Sequence, residues 1–444
     1  MLLLSPYYII QTIADAIKTI TENKYAELTQ NRYDQPNTYS KDRMRKVLAS
    51  VVMERKVHSR NNRLCIVSLG AGSKSIGGAF LTKDGDRVHD CHAEVLARRG
   101  LIRFIYSQLE EIKNGRERMS IFKRRDRDEK CVLKDDVSFH LFISKPPCGD
   151  ASVFGQHENH QNRKRRGIAR VTPADGEGAI HISWPPEKDD TFEKLKTGPG
   201  RLHKMCCSAK IARWNVIGIQ GALLSLYIRP VYLSSITIGG QFHDGHLKRA
   251  VYGRVSKIQE LPPHYHINDP KLYHVSKPDD TTEKSHKMSL NWYLHDHDVE
   301  PQVENGERQL LEVPQVGTAN NWGEELIECQ YGKPPTADST HDVSRLSKRE
   351  LFKCFASLWN DLASRALKQK LPLGTNTGQE QQPPYSTVKA LAKSYQEAKG
   401  KVAKCFAGMP YGSRWLKMPP EVDQFSLPDS DDEGPSSDNN SSSS

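Results

Sequence analysis

Between residues 64 and 260, strand-like and helix-like segments follow one another in alternation, and no other feature of the chain narrows its fold as far. Leu64–Leu69 is a short β-rich run ended by the tight turn Gly70-Ala71-Gly72. From His92 to Leu109, Val95, Leu96, Leu101, Ile102, Ile105 and Leu109 gather on one side of a helix. Val137, Phe139, Leu141 and Ile143 then alternate with other residues up to Pro146-Pro147, the pattern of a strand. Helix returns from Ser208, strand over Tyr232–Ile238, and helix over Asp244–Ile258 with Leu247, Val251, Val255 and Ile258 at its core. Such alternation predicts an α/β fold, a mixed sheet with helices on both faces. No repeat of 20–50 residues is present, which excludes solenoids and propellers.

The flanks extend this unit. Ile9, Ile10, Ile13, Ala16, Ile17 and Ile20 recur at helical spacing, and Met44, Val47, Leu48, Val51 and Val52 predict a second helix from Asp42 to about Glu54. Residues 155–202, rich in Gly, Pro, Arg and His, read as a surface insertion, and Pro262–Thr340 as a polar stretch with few regular signals. Helical patterns over Lys348–Leu367 and Thr387–Phe406 close a domain expected to span residues 1–425. The tail 426–444 is acidic and serine-rich, a composition that does not fold alone.

Composition excludes several classes. Hydrophobic residues make up 36% of the chain, enough for a core, yet runs such as Ala222–Leu226 fall far short of the roughly 18–20 apolar residues of a membrane span. Met1–Leu4 has no basic flank and soon meets Asp15 and Lys18, so a signal peptide is not expected. Lys and Arg number 64 against 54 Asp and Glu, a net charge of +10. The tail holds Asp429, Asp431, Asp432, Glu433 and Asp438 with no base, so the body is more basic still. That balance points to a polyanionic partner such as nucleic acid. Nine scattered cysteines, an odd number, read as reduced thiols of the cytosol or nucleus, some of them metal ligands.

The chemistry is carried by a few positions. His92-Ala93-Glu94 opens one helix, Cys148 follows Pro146-Pro147 at the end of a strand, and Cys207 stands just before another helix. Helix N-termini favour thiolates. One imidazole and two thiolates leave a fourth tetrahedral position of Zn²⁺ for water, as in catalytic sites. Glu94, two residues from the His, is the candidate proton carrier. Zinc-dependent nucleobase deaminases pair H-x-E with P-C-x-x-C. Here Pro147-Cys148 runs on into Gly149-Asp150-Ala151 without a second Cys, so the third ligand comes from elsewhere in the chain.

The blocks Asp90-Cys91-His92-Ala93-Glu94, Arg98-Arg99, Pro147-Cys148-Gly149-Asp150-Ala151 and Cys207-Ser208-Ala209-Lys210-Ile211-Ala212-Arg213-Trp214-Asn215 resemble the catalytic blocks of the adenosine deaminases acting on RNA. The similarity runs from the helix around Ile9 to Asp423-Gln424-Phe425. It implies a cytidine-deaminase-like sheet elaborated by extra C-terminal helices, and editing of adenosine to inosine in double-stranded RNA. It also implies zinc on His92, Cys148 and Cys207, rather than Cys206, with Glu94 as catalytic proton shuttle. A transfer-RNA adenosine deaminase shares the metal motif, and a silent RNA-binding paralogue is expected to have lost Glu94 or a ligand; all four residues are present. The resemblance leaves no room for the double-stranded-RNA-binding modules that precede the catalytic domain in the family. Docking then falls to an upstream segment, an RNA-binding partner or a homodimer, unless the domain acts alone.

Two further sets of residues follow from the resemblance. For RNA, Asp175-Gly176-Glu177-Gly178 is similar to the base-flipping loop, with Glu177 filling the vacated space, and Ser73 and Lys74 match positions near the substrate phosphate. Arg163 and Lys164 begin the basic run Arg163–Arg166, whose composition suits phosphate contact or nuclear targeting, while Ser152 stands where relatives can carry an Arg. For a structural inositol hexakisphosphate, the matching positions are Arg98, Arg99, Lys210, Arg213, Lys348, Tyr385, Lys389, Tyr395, Lys399, Trp415 and Asp423. His89 replaces an Asn of that set, and Lys417 lies one place from the expected Lys, with Met418 there instead.

Overall fold

A computed structural model describes residues 6–30, 47–56, 62–125, 128–152, 171–172, 193, 204–276, 288–294, 302–304, 307–309, 324–329, 331–335, 343–371, 373, 382–409 and 415–427. Its centre is a seven-stranded sheet. The strands are β1 (Leu48–Arg55), β2 (Arg63–Ala71), β3 (Val137–Ile143), β4 (Leu233–Gly239), β5 (Lys271–Val275), β6 (Met288–Tyr293) and β7 (Glu324–Glu328). They lie in the order β7-β6-β2-β1-β3-β4-β5. Pairing is antiparallel from β7 to β3 and parallel from β3 through β4 to β5, so the sheet is mixed as expected.

Helices cover both faces. On α1 (Pro6–Gln30), Ala14, Ile17, Thr21 and Leu28 are buried at helical spacing, and Thr21 Oγ1 lies 2.7 Å from Ser50 Oγ of β1. Ser50 pairs with Leu69, whereas the flanking Ser68 and Gly70 point the other way, toward α2 (Ala93–Lys113). Ser68 Oγ donates to the Ala97 carbonyl at 2.7 Å. A Cβ on Gly70 would lie 2.5 Å from the Ala93 carbonyl, so the glycine lets the start of α2 rest directly on β2.

That double cover explains one correction. The helix expected from Asp42 to Glu54 is instead strand β1 over Leu48–Arg55, with residues 42–46 outside the described part. Leu48, Val51 and Val52 fit a helical spacing, but Leu48 to Val52 are all buried because both faces of the strand are covered, and a bulge between Val51 and Val52 shifts the register further. A strand buried on both faces loses its period of two.

Other expectations are refined. Asp244–Ile258 is α-helical only over Asp244–Lys248 and continues as a wider turn over Arg249–Gly253, although Leu247, Val251 and Val255 are buried as read. Lys348–Leu367 breaks into α4 (Lys348–Ser357), Trp359–Leu362 and Arg365–Lys370, because Ser364 caps a new helix by accepting from the Leu367 amide at 3.2 Å. The last helical region splits into α5 (Tyr385–Ala390) and α6 (Lys393–Ala407). The polar stretch Pro262–Thr340 supplies three strands of the central sheet, β5, β6 and β7. In β6, Ser289 and Asn291 are fully buried, Asn291 donating to Glu325 at 2.9 Å, so polar inward residues hid the strand. The tail beyond residue 427 and nearly all of 155–202 lie outside the described residues.

Candidate active site and basic pocket

His92, Cys148 and Cys207 meet, as their places in the chain predict. His92 is the extended residue capping α2, Cys148 follows β3, and Cys207 is the first residue of α3 (Cys207–Ile217). Their ligand atoms all lie within 4.8 Å of one another. Bonds of about 2.0–2.3 Å to a tetrahedral ion set its ligand atoms roughly 3.5 Å apart, so this donor set fits one zinc ion. Ser208 staples the two cysteine segments: its Oγ donates to the Pro147 carbonyl at 3.0 Å and accepts from the Ala151 amide at 3.2 Å. The Cys207 amide donates to Cys148 Sγ at 3.3 Å, and hydrogen bonding from Cys207 together with the His92 ring holds the Cys148 thiol well below its ordinary pKa despite burial. Cys206 lies outside the cluster. Its Sγ fills the space beside Gly149, whose φ of +105° only glycine adopts readily and where a Cβ would lie 2.2 Å from that sulfur.

Glu94, in the first turn of α2, is only 3% exposed. Burial, with the charge on Cys148, raises its carboxyl above the ordinary range, which suits a group that takes up and returns a proton. Two supports escaped the sequence reading. Asp90 accepts from His92 Nδ1 at 2.7 Å and pairs with Lys210, turning the other imidazole nitrogen toward the cysteines. An acid two residues before a His ligand is the signal that could have shown it. Asp150, fully buried, accepts from Arg249 at 2.9 Å and pins the loop after Cys148; nothing in the sequence marks that pairing.

The RNA-facing expectations divide. Ser73 and Lys74 are half-buried beside the metal-ligand loop, with the Lys74 carbonyl accepting from the Cys91 amide at 3.0 Å. Ser152 Oγ donates to the Gly149 carbonyl at 3.1 Å. Arg163, Lys164 and Glu177, with the whole loop Asp175–Gly178, lie outside the described residues.

The cations expected around a polyanion converge between α2, α3, α4, α5 and α6. Lys348 and Lys389 each donate to Asp423 at 2.6 Å. Arg213 stacks 4.3 Å from the ring centre of Trp415, Arg98 lies 5.3 Å from that of Trp214, and Lys389 lies 4.7 Å from that of Tyr385. Arg99 donates to the Leu346 carbonyl at 2.6 Å. Tyr395 is buried and lies within electrostatic reach of Arg98 and Arg213. Burial, the largest effect on each, lowers Arg98 to about 10 and Lys348 and Lys399 to about 8. Arg98 Nε and Arg213 Nε are buried without a hydrogen-bond partner among the described residues. So many enclosed cations facing one another are costly without an anion, and the pocket fits a phosphate-rich ligand. At the departure noted above, Met418 packs with Ile76, Leu81 and Val422 while Lys417 is exposed.

Comparison with known proteins agrees with this geometry. The chain is 34% identical over 430 residues to the double-stranded RNA-specific editase Adar of Drosophila melanogaster, covering 94% of this chain and 56% of that protein. It is 34% identical to the double-stranded RNA-specific adenosine deaminase of Mus musculus, covering 86% of this chain and 30% of that protein. With the tRNA-specific adenosine deaminase 1 of Drosophila melanogaster the identity is 29%, over 83% of this chain and 88% of that protein. The chain thus spans about half, or less, of the length of the double-stranded-RNA relatives it matches. Residues 68–321 and 315–419 match the adenosine-deaminase (editase) domain, and the chain belongs to that family.

Proposed function

We propose that this chain edits adenosine to inosine in double-stranded RNA, by hydrolysis that releases ammonia, with zinc held by His92, Cys148 and Cys207. The observation that carries the reading is the junction of those three donors beside the buried acid Glu94, in a chain of an adenosine-deaminase family. Zinc held by His92, Cys148 and Cys207 would supply Lewis acidity, making a water acidic enough to act as the nucleophile toward adenine C6. Glu94 takes the proton of that water and delivers it to the base, burial having raised its carboxyl above the ordinary range. Asp90 fixes the imidazole tautomer, and Ser208 fixes the distance between the cysteine segments.

C6 of a paired adenine is enclosed in the duplex, so the nucleotide must be extruded at a cost of roughly a few kcal/mol. Glu177 in Asp175–Gly178 serves to fill the gap, with Ser73, Lys74, Arg163 and Lys164 on the backbone and inositol hexakisphosphate in the basic pocket as a folding cofactor. Further duplex affinity comes from an RNA-binding partner, a second copy or a segment beyond this chain. The nucleus is the proposed compartment, on the composition of Arg163–Arg166.

A transfer-RNA substrate is the second reading, because the chain covers 88% of a tRNA-specific relative. Incubating purified protein with a duplex bearing an A·C mismatch, beside a tRNA pool, and reading inosine separates the two. Inosine in the duplex that disappears in Glu94→Ala supports the proposal. Inosine only in the tRNA moves the assignment there, and undiminished turnover in Glu94→Ala ends the proton-shuttle role.

A further inference from the structure

Lys204 precedes the Met205-Cys206-Cys207 segment and is 7% exposed, yet its Nζ has no hydrogen-bond partner among the described residues. The same holds for the buried Nε2 of His89, three residues before His92. Lysine can only donate, so a buried ammonium without an acceptor is among the most costly arrangements a protein interior holds. An apolar side chain would fill the same volume without that penalty.

The surroundings deepen the problem. Lys204 lies within electrostatic reach of Lys210 and Lys348, and His89 within reach of Lys204, Lys348 and Arg99. Their acidic neighbours are Asp90 and Asp423. Both oxygens of Asp90 are engaged, one by His92 and one by Lys210, and both oxygens of Asp423 by Lys348 and Lys389. No described carboxylate in reach is left for Lys204. Its ammonium is accordingly pushed down to about 7, by burial first and then by Lys210 and Lys348.

We propose that Lys204, which lies outside the family's expected ligand set, joins His89, which stands at one of its positions, to form an inner phosphate subsite of the basic pocket. The inference rests on the polyanion reading given above. Phosphate oxygens supply the acceptors that both side chains lack, and charge-assisted hydrogen bonds of this kind are roughly twice as strong as neutral ones. The subsite also explains why histidine is tolerated at position 89: its buried Nε2 needs a partner, and a phosphate serves it and Lys204 together.

The test uses the full chain purified with its ligand. Native mass spectrometry reads bound anion, and its mass separates inositol hexakisphosphate from inorganic polyphosphate; ³¹P NMR reads each phosphate's surroundings. In Lys204→Met, occupancy after a high-salt wash is expected to fall at least about two-fold and at least one ³¹P resonance to move. Lys204→Arg should restore occupancy while moving the same resonance, and His89→Asn should move it without loss of folding. If Lys204→Met does not fold, the Arg and Asn variants still decide through their spectra. Unchanged spectra in the variants that fold, with the anion retained in the parent, overturn the inner subsite and leave the pocket standing. A parent chain that carries no phosphorus overturns both.

Discussion

Asp90 holds His92 by two bonds at once: its Oδ1 accepts from the imidazole Nδ1 at 2.7 Å and from the His92 amide at 3.1 Å. Its other oxygen pairs with Lys210, so the ring that faces the cysteines is tied directly to the basic pocket. In Asp90→Asn the charge opposing Lys210 is gone, and the amide can turn either a donor or an acceptor to Nδ1. Removing such a support costs about 10–100-fold in metal affinity. Zinc competition against a graded chelator series measures it, and affinity equal to the parent's means the ring is oriented by other contacts.

The neighbouring cysteines make opposite predictions. Cys207 Sγ belongs to the three-donor group and Cys206 Sγ does not. Cys207→Ala should purify with at most a small fraction of the parent's zinc, whereas Cys206→Ala should keep it stoichiometric. Zinc analysis beside a circular dichroism spectrum separates loss of a ligand from loss of fold, and the opposite pattern would exchange the two roles.

Gly149→Ala tests the loop behind Cys148. A Cβ there meets Cys206 Sγ at 2.2 Å, and the φ of +105° disfavours any L side chain. Conformational strain of this kind costs about 1–3 kcal/mol, and the overlap adds to it. Combining Gly149→Ala with Cys206→Ala removes the overlap with the sulfur, but neither the strain nor the 2.9 Å approach to the Cβ of residue 206. Urea unfolding of the four proteins should show a favourable coupling between the two changes, because neighbours in contact are not additive. Simple additivity argues that the loop moves away.

How much of this was readable in advance depended on what each residue had to satisfy. His92, Cys148 and Cys207 sit at element ends whose flanking patterns are local, so a common meeting point was readable, but the choice of Cys207 over Cys206 came from the resemblance to the family. Asp90 was legible as a letter but not as a bond, since its partner Lys210 is supplied by a distant helix. β1 and β6 were not legible, because Val51 and Asn291 are inside for reasons of tertiary cover rather than periodicity. Lys204 gave no signal at all: a lysine reads as surface until its neighbours are known.

Acid stability depends on a cluster in the sheet far from that loop. Glu54 accepts from Ser138 at 3.1 Å and from Asn62 at 2.7 Å, and lies 3.3 Å from His140 Nε2, whose Nδ1 is 2.7 Å from Ser235 Oγ. The His140 hydrogen bond, ahead of opposing burial and the smaller Asn62 bond, lowers the Glu54 carboxyl from 4.5 to about 2. A depressed carboxyl stabilises the fold fully above the unfolded pKa and loses that contribution as pH falls through the folded one. The window therefore runs from about pH 4.5 down to about pH 2, for a contribution on the order of 2 kcal/mol. Glu54→Gln should flatten this limb of the urea-midpoint profile, and an unchanged slope there assigns acid lability to other carboxylates.

Glu94→Gln asks whether the buried acid works as a proton carrier or merely as packing. Glutamine keeps the volume and the hydrogen-bonding shape at a position 3% exposed, and it removes a carboxyl that burial holds in a raised range, so the fold should be undisturbed or slightly more stable. The amide cannot take a proton from water or return one. General acid–base catalysis by one group contributes about 10²–10⁴-fold, and single-turnover deamination of a duplex substrate should fall by at least that much with zinc content unchanged. A loss of zinc in parallel with activity would make Glu94 part of the metal's support instead. Retained zinc with lost turnover, on a protein that still binds the duplex as the parent does, leaves proton transfer as the step that fails.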